Sequence, residues 1–291
     1  MSARIGPERA PAKVNLTLRV LGRRPDGFHE LESLVAFAGE GDLVWLTPDE
    51  LLSLEVHGDS AAQAGPDDSN LVLRAARALA ERMEGLRTGR FTLYKRLPVA
   101  AGLGGGSSDA AAALRLLARA NDLDFADPRL YEAAAAVGSD VPVCLLPRAR
   151  VFAGRGEELS PPYGLPPLPA VIINPGVPLS TAAVFSALGL RPGEEGPSGP
   201  GPACFPAAED DLVEALEGEP NDLEPVARRL VPQIATALTA LRQQDGCRLA
   251  RMSGSGASVY ALFTDRHAAV RAARDLRTAN PNWWVEATLL R

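Results

Sequence analysis

The first clear pattern in the chain is an alternation of apolar and polar residues near its amino terminus. In the segment 12–20, Val14 and Leu16 alternate with the polar residues Lys13 and Asn15. Successive side chains of a strand point to opposite faces, so the pattern predicts a half-buried strand with a polar face. A lysine on an inward polar face needs an anionic partner, which makes Lys13 a candidate functional residue. The alternative is an ordinary surface lysine.

The remaining apolar patterns predict a chain that mixes strands with helices. Strands are predicted at 42–46, 51–56, 91–97, 170–174, 247–252, 258–263 and 283–289. Helices are predicted at 70–83, from the end of a glycine-rich loop to about 121, at 127–137, at 232–244 and from 264 or 265 to 276. The last elements form a strand–turn–strand–helix–strand unit, which is typical of an α+β layer.

Two segments rich in proline and glycine interrupt these elements. The segment 160–169 contains five prolines and is predicted to be a linker, which divides the chain into domains at 1–160 and 161–291. In the segment 189–206, ten of eighteen residues are glycine or proline, and we expect a disordered or mobile excursion there.

A glycine-rich loop lies between a predicted strand and a predicted helix, in the segment 98–114. Its glycines allow close approach of the backbone to a ligand, and Ser107 or Ser108 is predicted to cap the helix that the following alanines favour. Unpaired N–H groups at a helix start attract anions, so the segment predicts a phosphate site. The alternative, a flexible loop, fits the flanking strand and helix less well. The sequence matches neither the lysine-containing P-loop nor the dinucleotide pattern, because Ser107 stands where the third glycine of the latter belongs.

Composition narrows the classes of function. The net charge of −6 and the pI of about 5.3 argue against non-specific nucleic-acid binding. The three cysteines are far apart, which argues against a disulfide framework and favours a reducing compartment. Neither an apolar run of membrane-spanning length nor an apolar signal core occurs in the sequence. We therefore expect a cytoplasmic protein with no nucleic-acid or membrane partner.

Four segments together resemble a known superfamily. They are PAKVNLTLRVLGRRPDGFHELESL at 11–34, PVAAGLGGGSSDAAAAL at 98–114, GSDVPVCL at 138–145 and RMSGSGASVYALF at 251–263. In this order they are similar to motifs of the superfamily named for galactokinase, homoserine kinase, mevalonate kinase and phosphomevalonate kinase. The resemblance implies an α+β, two-domain fold with a ferredoxin-like carboxyl-terminal domain and an active site in the cleft between the domains.

The resemblance also implies an ATP-dependent kinase with Mg²⁺. Lys13 and Asp140 would be the catalytic residues. Asp140 would accept the proton of the acceptor hydroxyl or orient that hydroxyl, and Lys13 would pair with Asp140 and keep its carboxylate ionised. From the residues alone, Gly138 ends a helix, and Asp140 belongs only to the turn that follows it. The ATP phosphates would lie on the loop residues Pro98, Val99, Ala100, Ala101, Gly102, Leu103, Gly104, Gly105, Gly106, Ser107 and Ser108. The SGSGA turn at 253–257, otherwise a plain hairpin turn, would close on the phosphates or the substrate.

The substrate implied by the resemblance is the small cytidyl compound 4-diphosphocytidyl-2-C-methyl-D-erythritol, phosphorylated on its 2-hydroxyl in the non-mevalonate isoprenoid pathway. Phe28 would stack on the cytosine, and His29 would hydrogen-bond its edge. The family usually has tyrosine at the position of Phe28, so a hydroxyl contact would be lost here. The resemblance also assigns Asn15, Thr181 and Phe185 to the substrate, with Phe185 on the second face of the ring.

Two other functions are compatible with the same segments. The first is a non-catalytic nucleotide-binding module, and the second is a kinase of another alcohol such as homoserine or mevalonate. Retention of both Lys13 and Asp140 favours catalysis over the first. We expect a monomer or a homodimer.

Overall fold

The computed structural model describes residues 3–202 and 204–291 and mixes strands with helices, as the sequence predicts. The strands are β1 (Ile5–Asn15), β2 (Arg19–Arg23), β3 (His29–Pro48), β4 (Ser53–Gly58), β5 (Gly89–Lys95), β6 (Arg150–Gly154), β7 (Glu158–Leu159), β8 (Leu168–Asn174), β9 (Cys247–Met252), β10 (Val259–Phe263) and β11 (Trp284–Leu290). The helices are α1 (Ala61–Ala64), α2 (Leu71–Ala80), α3 (Gly105–Ala120), α4 (Pro128–Val137), α5 (Val141–Leu145), α6 (Thr181–Leu188), α7 (Glu209–Glu217), α8 (Glu224–Leu230), α9 (Gln233–Arg242) and α10 (Arg266–Ala279). Across these residues, the helices all fall short of the length and apolarity needed to cross a membrane.

The chain folds into two compact units that are each discontinuous in sequence. The first unit comprises Met1–Ala12, Gly41–Val99 and Gly104–Pro147. The second comprises Lys13–Glu40, Ala100–Leu103 and Arg148–Arg291. The segment 160–167 is irregular, as the linker prediction requires, and it lies inside the second unit. The domain boundary at residue 160 stays a prediction.

In the first unit, a small sheet accompanies a cluster of helices. The last part of β3 pairs antiparallel with β5, and β4 runs parallel to β5. The helices α2, α3, α4 and α5 pack on one another. Small alanine side chains at 110–113 are all fully buried, which lets neighbouring helices approach α3 closely. Asn70 and Asp127 cap α2 and α4 through their side chains, so these two predicted helix starts are confirmed.

In the second unit, four antiparallel strands form a sheet in the order β11-β8-β10-β9. The apolar faces of α9 and α10 share one core with these strands. The hairpin β9–β10, followed by α10 and β11, confirms the predicted strand–turn–strand–helix–strand unit. Ahead of this sheet, β3 pairs antiparallel with both β2 and β6.

The predicted strand at 12–20 differs from the structure in two ways. The strand β1 ends at Asn15, and β2 begins at Arg19 after a short irregular stretch. The segment is also not half-buried, because Lys13, Asn15 and Thr17 are at most 3% exposed. The polar face predicted by the alternation is therefore an interior face, and its groups need partners inside the protein.

The Gly/Pro-rich segment 189–206 lacks helices and strands in its described residues, but it is not the free excursion that its composition predicts; Ala203 lies outside the described residues. The backbone N–H of Gly196 donates to the carbonyl of Leu21 (2.8 Å), and that of Arg23 donates to Glu194 (2.9 Å). A Cβ on Gly196 would lie 1.8 Å from the carbonyl oxygen of Val20. Glycine is therefore what allows the segment to lie against β2.

Candidate active site

The carboxyl-terminal part of the glycine-rich loop leads directly into α3. Gly104 has φ of +60° and occupies the N-cap position, and the helix begins at Gly105. The prediction that Ser107 or Ser108 caps the helix is wrong, because both serines already lie in its first turn. The first N–H groups of a helix have no intrahelical acceptor and lie at the positive end of the helix dipole. With Gly105 and Gly106 at this end, the backbone is accessible to an anion.

The two serines of the loop differ in their surroundings. The hydroxyl of the buried Ser108 donates to the carbonyl of Pro11 (2.7 Å) and lies 3.4 Å from Sγ of Cys144. Its side chain therefore holds α3 against β1 and α5. Ser107 is half-buried and Gly106 is exposed, as is Val99 at the start of the loop. Ser108 thus packs α3 against its neighbours, whereas Ser107 is more accessible. Binding of the ATP phosphates by either serine stays a prediction.

The middle of the loop belongs to the second unit and is held by backbone hydrogen bonds. The carbonyl of Ala101 accepts from the N–H of Ser258 (3.1 Å), and the carbonyl of Leu103 accepts from the N–H of Lys13 (2.8 Å). Between them, the carbonyl of Gly102 accepts from the hydroxyl of Ser253 (3.1 Å). Three successive carbonyls are therefore fixed, two by the SGSGA region and one by β1.

Gly102 occupies the tightest position of this part of the loop. Its φ is +73°, and a Cβ here would lie 2.6 Å from the carbonyl oxygen of Gly256 and 2.7 Å from that of Ser253. No side chain fits between these backbone oxygens. The SGSGA turn joins β9 to β10, as predicted, and in addition packs on the glycine-rich loop.

Lys13 and Asn15 share one buried polar network. The ammonium of Lys13 donates to Oδ1 of Asn15 (3.1 Å) and lies 5.3 Å from the centre of the Phe152 ring. The Asn15 amide donates to the hydroxyl of Ser33 (2.7 Å), and its backbone N–H donates to the hydroxyl of Ser253 (3.2 Å). Asn15 therefore orients the lysine and also connects β1 to the SGSGA turn.

Asp140 lies in the first unit, at the start of α5. It occupies the N-cap position, yet its side chain makes no capping hydrogen bond. The helix end at Gly138 and the turn after it, as predicted from the residues alone, are both present: Gly138 is the C-cap of α4, and a turn at 139–140 precedes α5. The helix α5 packs on α3, where Arg115 donates to the carbonyl of Cys144 (2.7 Å). Asp140 thus lies at the start of a buried helix, α5, which packs on α3.

The predicted cytosine-binding residues lie in the second unit and form ring contacts. The rings of His29 and Phe185 stack with centroids 4.5 Å apart. Nε2 of His29 is buried and has no hydrogen-bond partner among the described residues. Burial, with a contribution from the positive charge of Arg23, lowers the pKa of His29, which keeps the ring neutral. A neutral imidazole with an unpaired nitrogen can hydrogen-bond the edge of a ligand.

The other two predicted substrate residues have partners of their own. Phe28 is 51% exposed, and the guanidinium of Arg155 lies 4.5 Å from its ring centre. The hydroxyl of Thr181, at the start of α6, is 2.8 Å from that of Ser255. The ring that Phe185 contacts is therefore His29, and the predicted stacking of cytosine between Phe28 and Phe185 stays a prediction.

A buried ion cluster near the glycine-rich loop was missed by the sequence reasoning. Lys95, at the end of β5, contacts the carboxylates of Asp42 and Asp109. Asp109 lies in the second turn of α3 and is 3% exposed. The only signal in the sequence was a lysine in alternation with the apolar residues Phe91 and Leu93 at the end of a predicted strand.

Comparison with known proteins decides the family. Residues 70–148 match the model of the GHMP kinases N terminal domain, and residues 206–282 match that of the GHMP kinases C terminal domain. The chain belongs to the GHMP kinase family. GHMP kinases act on small molecules, so the chain is a small-molecule kinase, as the resemblance predicted.

Among individual GHMP kinases, two curated relatives carry the same name. The 4-diphosphocytidyl-2-C-methyl-D-erythritol kinase of Methylobacterium radiotolerans is 62% identical over 286 residues, covering 98% of each chain. That of Xanthobacter autotrophicus is 60% identical, covering 97% of this chain and 98% of the relative.

Solved structures agree with this placement. A crystal structure of 4-(cytidine 5'-diphospho)-2C-methyl-D-erythritol kinase matches with a TM-score of 0.74 and 36% identity, covering 99% of both chains. A homoserine kinase from Cytophaga hutchinsonii matches with a TM-score of 0.71 at 19% identity, covering 100% of this chain and 95% of that one. The second match shows the fold alone, and together they confirm the predicted GHMP-kinase-like α+β fold.

Proposed function

We propose that this GHMP kinase transfers the γ-phosphoryl group of ATP to the 2-hydroxyl of 4-diphosphocytidyl-2-C-methyl-D-erythritol, in the non-mevalonate route to isoprenoid precursors. The observation that carries the proposal is the 62% identity, over 98% of both chains, with a relative of that name. The unpaired, neutral His29 beside Phe185 supports it further, because such a pair can recognise a flat heterocycle with hydrogen-bonding edges.

The donor phosphates would be bound by the glycine-rich loop. Phosphoryl transfer asks the protein mainly to position groups and to neutralise charge. The backbone N–H groups at the start of α3 and the positive end of its dipole supply part of that neutralisation. The loop has no lysine of its own, so we assign Lys13 as the cation that stabilises charge on the transferring group.

The acceptor hydroxyl would be oriented by Asp140, with Lys13 as the predicted pairing partner that keeps it ionised. Asn15 would hold the lysine ammonium through the hydrogen bond to Oδ1.

The cytidyl end of the substrate would be bound by the aromatic residues of the second unit. His29 would hydrogen-bond the edge of the base, while Phe28 and Phe185 would contact its faces. Thr181 and Asn15 would contribute polar contacts. Because phenylalanine lacks a hydroxyl, Phe28 would contribute stacking only.

Mg²⁺ would enter as the complex with ATP. Among the described residues, no group of three or more His, Cys, Asp or Glu side chains is arranged to hold a metal ion. Mg²⁺ is commonly bound through one or two carboxylates together with substrate phosphates. The ion therefore does not require a full set of protein ligands. It would neutralise part of the negative charge on the ATP phosphates. We also propose a cytoplasmic location and a monomeric or homodimeric state.

Turnover assays with a panel of alcohols test the proposal. With ATP and Mg²⁺, we expect turnover of the cytidyl substrate and no comparable turnover of homoserine or mevalonate. The Asp140→Asn variant should lose about a hundredfold or more in kcat, because it removes the proton acceptor. The exposed Asp59→Asn variant is the matched control and should keep wild-type kcat.

Other results of these assays would contradict the substrate or the catalytic role that we propose. Preference for another alcohol, or no affinity for cytidine nucleotides, contradicts the assignment of the substrate. ATP binding without transfer to any alcohol supports a non-catalytic nucleotide-binding module. An Asp140→Asn variant as fast as wild type contradicts the catalytic role of Asp140.

A further inference from the structure

A cluster of three ionisable side chains lies in the interior of the first unit, beneath the glycine-rich loop. Lys95 is 3% exposed, Asp42 is 0% exposed and Asp109 is 3% exposed. The ammonium of Lys95 donates to Oδ2 of Asp109 (2.8 Å) and to Oδ2 of Asp42. The three side chains come from β5, β3 and α3, so one ammonium connects three elements.

The cluster fixes the point at which the chain enters the loop. Oδ1 of Asp42 accepts from the backbone N–H of Arg96 (2.6 Å) and from that of Leu97 (2.9 Å). These two residues immediately precede Pro98, the first residue of the loop. Asp42 therefore binds both the end of β5, through Lys95, and the two residues that follow it.

The same cluster fixes the point at which the chain leaves the loop. Asp109 directly follows Ser108, the last loop residue, and in the second turn of α3 its side-chain oxygen accepts from Lys95. A Cβ on Gly105 would lie 3.4 Å from the Lys95 ammonium. The ammonium therefore lies next to the first residue of the helix whose N–H groups would face the phosphates.

Stability alone does not explain such a cluster. Taking charges out of water is costly, and well-packed apolar residues of similar volume often replace a buried ion pair without loss of stability. Buried ionic contacts do differ from apolar ones in their geometry, because each hydrogen bond fixes a distance and a direction. Here, those directions converge on the two ends of one loop.

We propose that Lys95 is a positioning residue for phosphoryl transfer, which holds both ends of the loop 98–108 through Asp42 and Asp109 in the geometry that binds the phosphates of the nucleotide. The inference rests on the proposed function insofar as the loop binds ATP. Lys95 acts through the backbone of the loop and takes no part in the chemical step.

The test compares variants of the full-length protein by two readouts. The first is the Kd for Mg²⁺–ATP, and the second is hydrogen exchange of the loop amides in the absence of nucleotide. In Lys95→Met, we expect Kd and the KM for ATP to rise by about tenfold or more, kcat to change less, and exchange within 98–108 to accelerate. The KM for the acceptor should stay unchanged.

Four further variants separate positioning from folding. Lys95→Met combined with Asp109→Leu replaces two of the three members of the cluster by apolar residues, while Asp42 keeps the N–H groups of Arg96 and Leu97 as donors. This double variant should therefore fold and still show the raised Kd. Asp109→Asn keeps an oxygen that accepts from Lys95 and should stay within about threefold of wild type in Kd, whereas Asp109→Ala should resemble Lys95→Met. Arg115→Met removes a buried cation that lies on α3 itself and should lower stability without affecting Kd or loop exchange.

The outcomes are decisive in either direction. A folded Lys95→Met or double variant that leaves either Kd or loop exchange at the wild-type value overturns the proposal, as does an Asp109→Asn variant as impaired as Asp109→Ala. Failure of the wild type to phosphorylate the cytidyl substrate would count against the proposed function instead. Loop exchange and ATP binding would still decide the role of Lys95.

Discussion

The hydroxyl of Ser253 donates to the carbonyl of Gly102 over 3.1 Å, which joins the SGSGA turn to the glycine-rich loop. The same hydroxyl accepts from the backbone N–H of Asn15 (3.2 Å). One side chain thus connects β1, the turn and the loop within the second unit. Three of the four segments that resemble the kinase superfamily therefore meet at Ser253.

Replacement of Ser253 by alanine should weaken this junction. The change leaves the N–H of Asn15 and the carbonyl of Gly102 without this partner in a buried site, so we expect a loss of about 1–3 kcal/mol in the free energy of unfolding. The Kd for ATP should rise as well, because the loop loses one of its fixed carbonyls. Urea unfolding and nucleotide titration measure the two effects.

The matched control for this variant is Ser258→Ala. The hydroxyl of Ser258 is also buried, but it accepts from the side chain of Asn174 (3.0 Å). Ser258 contacts the loop through its backbone N–H, which alanine keeps. We expect a similar loss of stability and an unchanged Kd. Equal effects of the two variants on Kd would contradict the specific role of Ser253.

Gly102→Ala should be more damaging than an ordinary glycine substitution. The left-handed backbone costs about 1–2 kcal/mol for a residue with a side chain, and the added methyl would also collide with the carbonyls of Gly256 and Ser253. We expect a loss of at least about 2 kcal/mol in unfolding free energy. Gly164→Ala, where a methyl meets nothing within 4 Å, should stay within about 0.5 kcal/mol of wild type. Similar losses of unfolding free energy in the two variants would show that Gly102 has room for a methyl group beside the carbonyls of Gly256 and Ser253.

His29 should titrate below the ordinary pKa of histidine. Burial lowers its pKa from 6.5, and Arg23 adds to the effect. Because the unfolded chain binds a proton more readily than the folded protein, this residue lowers stability as the pH falls through 6.5. Nuclear magnetic resonance of the imidazole protons measures the midpoint.

The ring contact with Phe185 provides the control for this prediction. Phe185→Ala removes part of the burial, so the pKa of His29 should move towards 6.5. Phe125→Ala, which truncates an exposed phenylalanine of the first unit, should leave the midpoint unchanged. A midpoint at or above 6.5 in the wild type would contradict the burial of the ring.

Asp109 should make stability depend on pH in the opposite sense. Burial, with a further contribution from Asp42 against the opposing effect of Lys95, raises the pKa of Asp109 to about 8. Between its ordinary pKa of 3.8 and about 8, the folded protein therefore holds a proton that the unfolded chain releases. The free energy of unfolding should fall as the pH rises through that range.

Urea unfolding of wild type and Asp109→Asn at several pH values isolates this effect. The amide cannot titrate, so the stability of wild type relative to the variant should decrease from pH 5 towards pH 8. A difference between the two proteins that does not change with pH would show that Asp109 is ionised throughout.

Local signals in the sequence were sufficient for much of the fold. The helix starts at Asn70 and Asp127 and the turn between β9 and β10 all depend on neighbours in the chain, and each was predicted correctly. The phosphate-loop context of strand, glycines and helix is local in the same way. These features need no knowledge of distant contacts.

Features that depend on distant contacts were missed or misread. Nothing near Lys95 indicates that Asp42, 53 residues earlier, is its partner. The strand β3 was predicted only in part, because Gly41 weakens the local strand signal, whereas a Cβ there would lie 2.4 Å from the carbonyl oxygen of Ala10. The helix α5 has five residues, fewer than a periodic pattern requires.

The bond that the protein forms is measured by ³¹P nuclear magnetic resonance of the reaction mixture. With wild-type protein, Mg²⁺–ATP and 4-diphosphocytidyl-2-C-methyl-D-erythritol, we expect loss of the γ-phosphate signal and growth of a phosphomonoester on the 2-hydroxyl, together with ADP. Release of inorganic phosphate alone, a phosphomonoester at another hydroxyl, or an unchanged spectrum would show that the proposed function is wrong.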